Sequence, residues 1–160
     1  MHIHQLTLSH FRSHKLTQVQ AKNGPIALFG SNGAGKTNII EAISLLSPGR
    51  GLRKASTSEL SKTPDNIGWK LNAEVISNAN SNSIETSWKN TSSRIVKIND
   101  KLARQNDLAK LLRVVWLLPS MDRLWMEGAE SRRKFLDRLT LSFFPKHADY
   151  VLNYDKAMRE

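Results

Sequence analysis

The chain has 160 residues, no cysteine, and a net charge of +10 from 24 lysines and arginines against 14 aspartates and glutamates. This length allows one domain with a sizeable core, and the lack of cysteine excludes disulfides and thiolate metal sites. No apolar run reaches the length of a membrane span, so we expect a cytoplasmic chain with no membrane partner. The basic excess favours a polyanion such as DNA or RNA, although a solvated basic surface would carry the same charge.

Two short strands are predicted before residue 21. Residues 3–11 alternate weakly between polar and apolar side chains, and residues 16–20 form a second short run. Asn23-Gly24 is typical of the turn that follows. These strands precede the segment that carries the main motif, so they predict an antiparallel layer beside the main sheet.

The next segment fits the phosphate-binding loop G-x-x-x-x-G-K-[ST] without a mismatch. Its residues are Gly30, Ser31, Asn32, Gly33, Ala34, Gly35, Lys36 and Thr37. The glycines let the loop turn so that successive backbone N–H groups point at one anion. Lys36 adds a cation for the β- and γ-phosphates, and Thr37 offers a hydroxyl to Mg²⁺. A glycine-rich turn that binds nothing is the alternative, and so complete a motif disfavours it.

The flanks of the loop have the context that this motif requires. The apolar residues 25–29 predict a short buried strand that enters the loop. Residues 37–46 predict a helix with a broad apolar face, whose N-terminal dipole would add to the anion site. We therefore predict a nucleotide-binding loop between a strand and a helix.

A basic loop follows this helix. Residues 47–54 contain one proline and two glycines, which end the helix, and the cations Arg50, Arg53 and Lys54. These cations would contact nucleotide or DNA, or they belong to a flexible basic turn. The sequence favours neither of these interpretations over the other.

Three alternating segments then predict an antiparallel meander inserted after the first helix. Its strands are predicted at residues 69–76, 84–88 and 94–98. The Asn- and Ser-rich residues 77–83 predict a turn or loop between the first two strands, and residues 99–101 are typical of a hairpin turn.

The last third of the chain is predicted to be mainly helical. Helices are predicted at residues 107–112, 121–126, 129–143 and 146–160. Between the first two, the apolar residues 114–118 around Trp116 predict a buried strand that Pro119 ends. The last helix has no stop signal, so we expect a fragment of a longer protein. We divide the chain into a lobe at 1–120, which contains the meander, and the start of a helical lobe at 121–160.

Several stretches together resemble the bacterial RecF family of recombination mediators. They are residues 11–12, 30–43, 47–53, 116–122, 127–138 and 154–160. The resemblance runs along essentially the whole chain and is vaguest at residues 55–93. It implies an α/β fold, the N-terminal lobe of a P-loop NTPase of the ABC/SMC-head type, with an antiparallel β layer and a mainly helical C-terminal segment.

The resemblance also implies a function. In that family, ATP joins two heads into a dimer that holds DNA, and the protein acts at single-stranded gaps. It works with RecO and RecR partners to help load RecA, and it supports replication restart and the SOS response. Carried over by position, residues 30–37 would hold the triphosphate and Mg²⁺, and Arg12 would lie near the nucleotide.

Two motifs of this class are missing. A Walker B strand should end directly in Asp or Asp-Glu, whereas residues 114–118 are followed by Pro-Ser-Met before Asp122. There is no Leu-Ser-x-Gly-type signature, and both motifs normally lie beyond the end of this chain. Without them, the metal lacks its acidic support and water lacks a base. We therefore assign no catalytic residue and expect weak ATP binding at most, without hydrolysis. A weak DNA-stimulated ATPase is implied for the full-length protein.

Two other functions stay open. A small-molecule kinase would need an acceptor pocket, an arginine-rich lid and a catalytic acid close after a strand, and the sequence has no clear sign of them. A nucleic-acid-binding module with an idle loop is the other alternative. Arg132 and Arg133 would contact phosphates of DNA or of a partner's nucleotide, or they belong to a salt-bridged solvated helix face.

Overall fold

The structure is a computed structural model that describes residues 1–77, 80–90, 93–126 and 128–159. Within these ranges, one antiparallel sheet has six strands in the order β2-β1-β3-β4-β5-β6. The strands are β1 (His2–Phe11), β2 (His14–Gln20), β3 (Trp69–Ser77), β4 (Asn80–Trp88), β5 (Ile95–Ile98) and β6 (Lys101–Ala103). The predicted N-terminal strand pair and the predicted meander are therefore parts of a single continuous sheet.

Residues 121–126 are predicted as a helix, but the segment contains only a 3₁₀ helix, at Pro119–Arg123. The other four predicted helices are present as α-helices. They are α1 (Lys36–Ser44), α2 (Leu108–Leu111), α3 (Ala129–Phe143) and α4 (His147–Ala157). Short 3₁₀ helices at Gln105–Asp107 and Pro119–Arg123 precede α2 and α3. None of the helices in the described part of the chain combines the length and hydrophobicity needed to cross a bilayer.

The core lies between one face of the sheet and α1. Alternate side chains of β1 and β3 are buried, as the period of two in a half-covered sheet requires. The end of α1 contributes Ala42 and the following Leu45 and Leu46, all within the same apolar cluster. Phe11 meets Trp69 edge to face, with ring centroids 5.8 Å apart. This packing holds α1, and the loop ahead of it, against the sheet.

The C-terminal end of β1 is fixed by backbone hydrogen bonds to the segment at residues 60–62. The amide of Arg12 donates to the carbonyl of Leu60, and the amide of Lys62 donates to the carbonyl of His10, both at 2.8 Å. These bonds set the direction in which the chain leaves β1. The corner at residues 12–14 consequently lies beside the start of α1.

Two predicted strands are wrong. Residues 25–29 and 114–118 lie outside every described strand, and Phe29 and Leu117 are 94% and 78% exposed. An apolar run indicates burial, but a strand also needs a neighbour for its backbone hydrogen bonds. Neither segment takes part in any strand pairing of the described residues.

Two smaller boundaries also differ from the predictions. The short strand β6 was not predicted, and residues 80–83 of the predicted turn belong to β4. Residue 77 of that turn belongs to β3, and residues 78–79 lie outside the described residues, as does residue 160 of the last predicted helix.

Candidate nucleotide-binding site

The loop at residues 30–37 leads directly into α1. Lys36 is the first residue of the helix, and Gly35 is its N-cap residue, with φ +90°. The first four N–H groups of a helix have no acceptor within it, so those of Lys36 and Thr37 are available to an anion. The carbonyl of Gly35 accepts the amide of Asn38 at 2.9 Å, which closes the first helical turn directly behind the loop.

The side chain of Lys36 folds back over the loop. Its Nζ donates to the carbonyl oxygens of Gly30 and Ser31, both at 2.8 Å. The amide of Ala34 also donates to Ser31, at 3.3 Å, so the loop is closed by its own groups. A phosphate oxygen would replace these neutral acceptors with a charged one, and charge-assisted hydrogen bonds are the stronger kind.

Thr37 is exposed on the first turn of α1, and its hydroxyl has no partner among the described residues. A hydroxyl is the kind of hard oxygen ligand that Mg²⁺ takes beside phosphate and water. The residue type and position therefore fit a metal that arrives with a nucleotide. In the described ranges, no group of three or more His, Asp or Glu side chains is arranged to hold a metal.

A buried carboxylate lies behind the loop, held by two arginines. Glu41 is 1% exposed, and Arg12 donates to its two oxygens from Nε and Nη2, at 2.9 and 2.7 Å. Arg53 donates from Nη1 to the same carboxylate and to Asn38 Oδ1, both at 3.1 Å. Two cations around one anion leave an excess positive charge next to the phosphate loop. Arg12 Nη1 also donates to the carbonyl of Glu59, at 2.8 Å, so this arginine joins three segments.

The next two residues of the corner between β1 and β2 contact the loop and the first turn of α1. Asn38 Nδ2 donates to Ser13 Oγ at 2.9 Å. His14 Nε2 donates to the carbonyl of Gly35 at 3.3 Å, while its Nδ1 lies 2.8 Å from Thr17 Oγ1. A Cβ atom on Gly35 would lie 2.5 Å from His14 Nε2, so any side chain at this position would require the imidazole to move.

Sequence reasoning missed the roles of Glu41 and His14. A usable signal existed for Glu41, because it is the one charged residue in the stretch at 39–46, where all the others except Ser44 are apolar. A charged residue on a buried helix face needs a partner of opposite charge. For His14, no local signal existed, because its contact with residue 35 depends on the packing of the sheet against α1.

The predicted basic loop at residues 47–54 is partly structural. Arg53 forms an ion pair with Glu41, and Arg50 Nε donates to the carbonyl of Ala55 at 3.4 Å. One of these arginines therefore holds the loop against α1, and the other bonds to the residue just after the loop. The contact of this loop with nucleotide or DNA stays a prediction.

Lys54 of this loop lies close enough to Glu130, in the first turn of α3, to act on it electrostatically. There, Lys134 forms an ion pair with Glu130, and this hydrogen bond holds the pKa of Glu130 below its ordinary value, with smaller contributions from Lys54 and Arg133. Arg133 thus lies on a salt-bridged, solvated helix face, which supports the second of the two interpretations of this pair. The proposed phosphate contacts of Arg132 and Arg133 stay predictions.

Comparison with known proteins connects this geometry to a family. Residues 2–121 match the model of the RecF/RecN/SMC N-terminal domain. The chain belongs to this family. The matched residues include the whole phosphate loop, α1 and the six-stranded sheet.

Curated relatives in this family are named DNA replication and repair protein RecF. The chain is 40% identical over 159 residues to that of Rickettsia akari and 42% identical over 162 residues to that of Mesorhizobium japonicum. These alignments cover 99% of this chain but 44% and 43% of the two relatives. The chain thus spans less than half the length of the curated relatives it matches.

Solved structures agree with this assignment. The chain matches the recombination mediator protein RecF, in a RecF-ATPrS structure from the RecFOR pathway, with a TM-score of 0.87 and 25% identity, covering 97% of this chain and 42% of that one. It also matches a chain from work on ATP-driven dimerization and DNA-stimulated activation of SMC ATPases, with a TM-score of 0.67 at 20% identity, covering 87% of this chain and 99% of that one. The predicted fold class, the N-terminal lobe of a P-loop NTPase of the ABC/SMC-head type, is confirmed.

Proposed function

We propose that this chain is the ATP-binding part of a RecF-like DNA replication and repair protein. The observation that carries the proposal is the loop at residues 30–37, which leads into α1 and combines free N–H groups at the helix start with the amine of Lys36 and the exposed hydroxyl of Thr37. The name of the relatives supports the repair context. The RecF-ATP and RecF-ATPrS structures support ATP as the nucleotide.

Residues 30–37 would hold the triphosphate as a unit. The amides at the start of α1 would bind phosphate oxygens, and Lys36 Nζ would leave the carbonyls of Gly30 and Ser31 to reach the β- and γ-phosphates. Thr37 would hold Mg²⁺, which neutralises phosphate charge when bound. The pair Arg12–Glu41 would keep α1 at a fixed distance from the sheet while the ligand binds.

The whole protein would bind DNA at single-stranded gaps in the cytoplasm. The net charge of +10 supports a polyanionic partner. We propose that it acts with RecO- and RecR-type partners to help load RecA, and that it supports replication restart and the SOS response. An ATP-dependent homodimer and a weak DNA-stimulated ATPase would belong to the full-length protein, with residues 1–120 as one lobe and 121–160 as the start of a helical one. The RecFOR pathway of the solved RecF supports these assignments.

Equilibrium binding of a fluorescent ATP analogue tests the proposal. Lys36→Ala should weaken binding by about tenfold or more, because a charge-assisted hydrogen bond to phosphate is lost. Lys22→Ala, an exposed lysine outside the loop, is the matched control and should leave binding unchanged. Chelating Mg²⁺ should weaken binding by the protein and affect Lys36→Ala less.

Equal binding by both lysine variants would contradict the proposed loop. DNA binding measured with and without ATP then identifies the alternative. If DNA affinity responds neither to ATP nor to Lys36→Ala, the chain is a nucleic-acid-binding module whose loop is idle.

A further inference from the structure

Two arginines from distant parts of the chain converge on the turn that follows α1. Arg94, just before β5, donates from Nη1 to the carbonyl of Gly49 at 3.2 Å and from Nη2 to that of Ser47 at 3.5 Å. Arg138, on α3, donates from Nη1 to Ser47 Oγ at 3.4 Å. Both guanidinium groups thus lie within hydrogen-bonding reach of the same serine.

These two charges have no carboxylate partner in the described part of the chain. The acidic neighbour Asp137 is paired with His147 Nε2 instead, at 2.9 Å. Burial lowers the pKa of Arg94 and of Arg138 to about 10, so both stay protonated at neutral pH. The carbonyls at the end of α1 offset only about half a charge. Arg94 Nε is moreover buried with no partner among the described residues. The turn therefore has an excess of positive charge that no described anion balances.

Arg138 is held in place and still has free donors. Its guanidinium lies on the ring of Trp116, 3.6 Å from the centroid, which fixes the plane of its N–H groups. Of its five N–H donors, the described structure uses one, toward Ser47. A Cβ atom built on Gly49 would lie 3.9 Å from Arg138 Nη2, so this end of the guanidinium lies directly beside the turn. The exposed Arg50 follows directly in the chain.

We propose that this turn is a phosphate-binding site, distinct from the loop at residues 30–37. Arg138 would contact the phosphate, Arg50 would lie at the rim, and Arg94 would supply buried positive charge behind it. The planar fork of arginine matches phosphate oxygens, and preorganisation against Trp116 reduces the entropy lost on binding. The nine residues of α1 place the two sites about 13 Å apart along the helix.

The phosphate comes from a nucleic acid backbone or from a free phosphate ion, because both present the same oxygens. The backbone source rests on the proposed DNA partner, whereas the free-ion source does not. A test therefore needs both probes, and phosphate binding by the loop at 30–37 must first be weakened by mutation. We would introduce all variants into Lys36→Ala and measure inorganic phosphate by ³¹P NMR and a single-stranded 12-mer by fluorescence anisotropy.

Arg138→Gln should weaken phosphate-group binding by about tenfold. Arg104→Gln, which removes the same charge from an exposed side chain directly after β6, should change the affinity for phosphate groups less than about twofold. Arg138→Lys keeps the charge but loses the planar guanidinium, so its affinity for phosphate groups should lie between those of Arg138→Gln and Arg104→Gln. Because Arg138 also packs on Trp116, thermal melting must show that each variant is folded. If Arg138→Gln does not fold, Arg138→Lys and Arg50→Gln decide, with expected losses of several-fold.

Each result has one meaning. A loss of affinity for the 12-mer supports the site as part of a nucleic acid interface, if the dependence of that affinity on salt also falls by the equivalent of about one phosphate contact. A loss of affinity for inorganic phosphate alone supports a site for small anions. Affinities for both probes that match those of Arg104→Gln would overturn the proposal. Failure of ATP binding would count against the proposed function without affecting this result.

Discussion

Arg12 and Glu41 form a two-pronged ion pair between the end of β1 and the middle of α1, with distances of 2.9 Å from Nε to Oε2 and 2.7 Å from Nη2 to Oε1. The carboxylate is fully buried, whereas the arginine stays partly exposed. The geometry fixes one helix against one strand, and the helix carries the phosphate loop at its N-terminal end. The pair therefore links the stability of the sheet to the position of the candidate site.

Glu41→Gln should destabilise the protein by about 2 kcal/mol, because it leaves Arg12 and Arg53 without their buried counter-charge. Urea unfolding followed by circular dichroism measures this free energy. Glu74→Gln, on the solvated side of the sheet, is the matched control and should cost less than about 0.5 kcal/mol. Similar values for the two variants would show that the buried pair contributes little.

Gly35→Ala should destabilise the protein by about 2 kcal/mol or more and remove nucleotide-analogue binding. Its φ of +90° disfavours any side chain by about 1–2 kcal/mol, and a Cβ atom would collide with the ring of His14. Gly128→Ala is the control: nothing lies within 4 Å of a Cβ there, and its φ is −61°. Chemical denaturation of both variants measures the difference.

A double variant separates the two causes at this position. His14→Ala in the Gly35→Ala background should restore the part of the stability lost to the collision, and leave the part due to backbone strain. If His14→Ala costs the same in both backgrounds, the imidazole does not restrict residue 35.

Glu85 should make stability depend on pH. The hydrogen bond from Lys70, at 2.8 Å, holds its pKa below the ordinary 4.5, with a smaller effect of Lys97. Because the folded-state pKa is the lower one, this stabilisation is present above the unfolded-state value and is lost as pH falls through the folded-state value. Glu85→Gln should therefore cost about 0.5–1 kcal/mol at neutral pH and nothing in acid.

Urea midpoints across an acid series measure this change. Glu74→Gln serves again as control, because Glu74 accepts a hydrogen bond from Ser81 and has no lysine partner among the described residues. A Glu85→Gln deficit that persists unchanged into strong acid would assign the loss to packing rather than to charge.

DNA affinity should fall steeply as salt rises. If the basic surface binds the phosphate backbone, counterion release predicts a loss of about tenfold or more between roughly 50 and 200 mM salt. Lys54→Gln, on the basic loop, should reduce the slope, whereas Lys22→Gln should not. A flat titration of the unmodified protein would contradict a polyanionic partner.

Local patterns in the sequence predicted most of the secondary structure. The bounds of α3 (Ala129–Phe143) match the prediction at both ends, and β3 differs by one residue. Both elements have a clear period, and Gly128 and Pro145 interrupt the pattern on either side of α3. The run at 25–29 is apolar throughout, yet it forms no strand. A strand also needs a neighbouring strand for its backbone hydrogen bonds, and a local sequence pattern does not specify that neighbour.

The sequence by itself determined the phosphate loop, because eight consecutive residues carry the backbone freedom, the cation and the hydroxyl that the chemistry needs. Only the tertiary structure decided what surrounds the loop. Arg12 and Glu41 are 29 residues apart, and Arg138 and Ser47 are 91 apart. Contacts over such separations depend on how α1 and α3 pack against the rest of the chain. Hydrophobic periodicity records which face of a helix is buried, but it does not record which distant side chain the buried face meets.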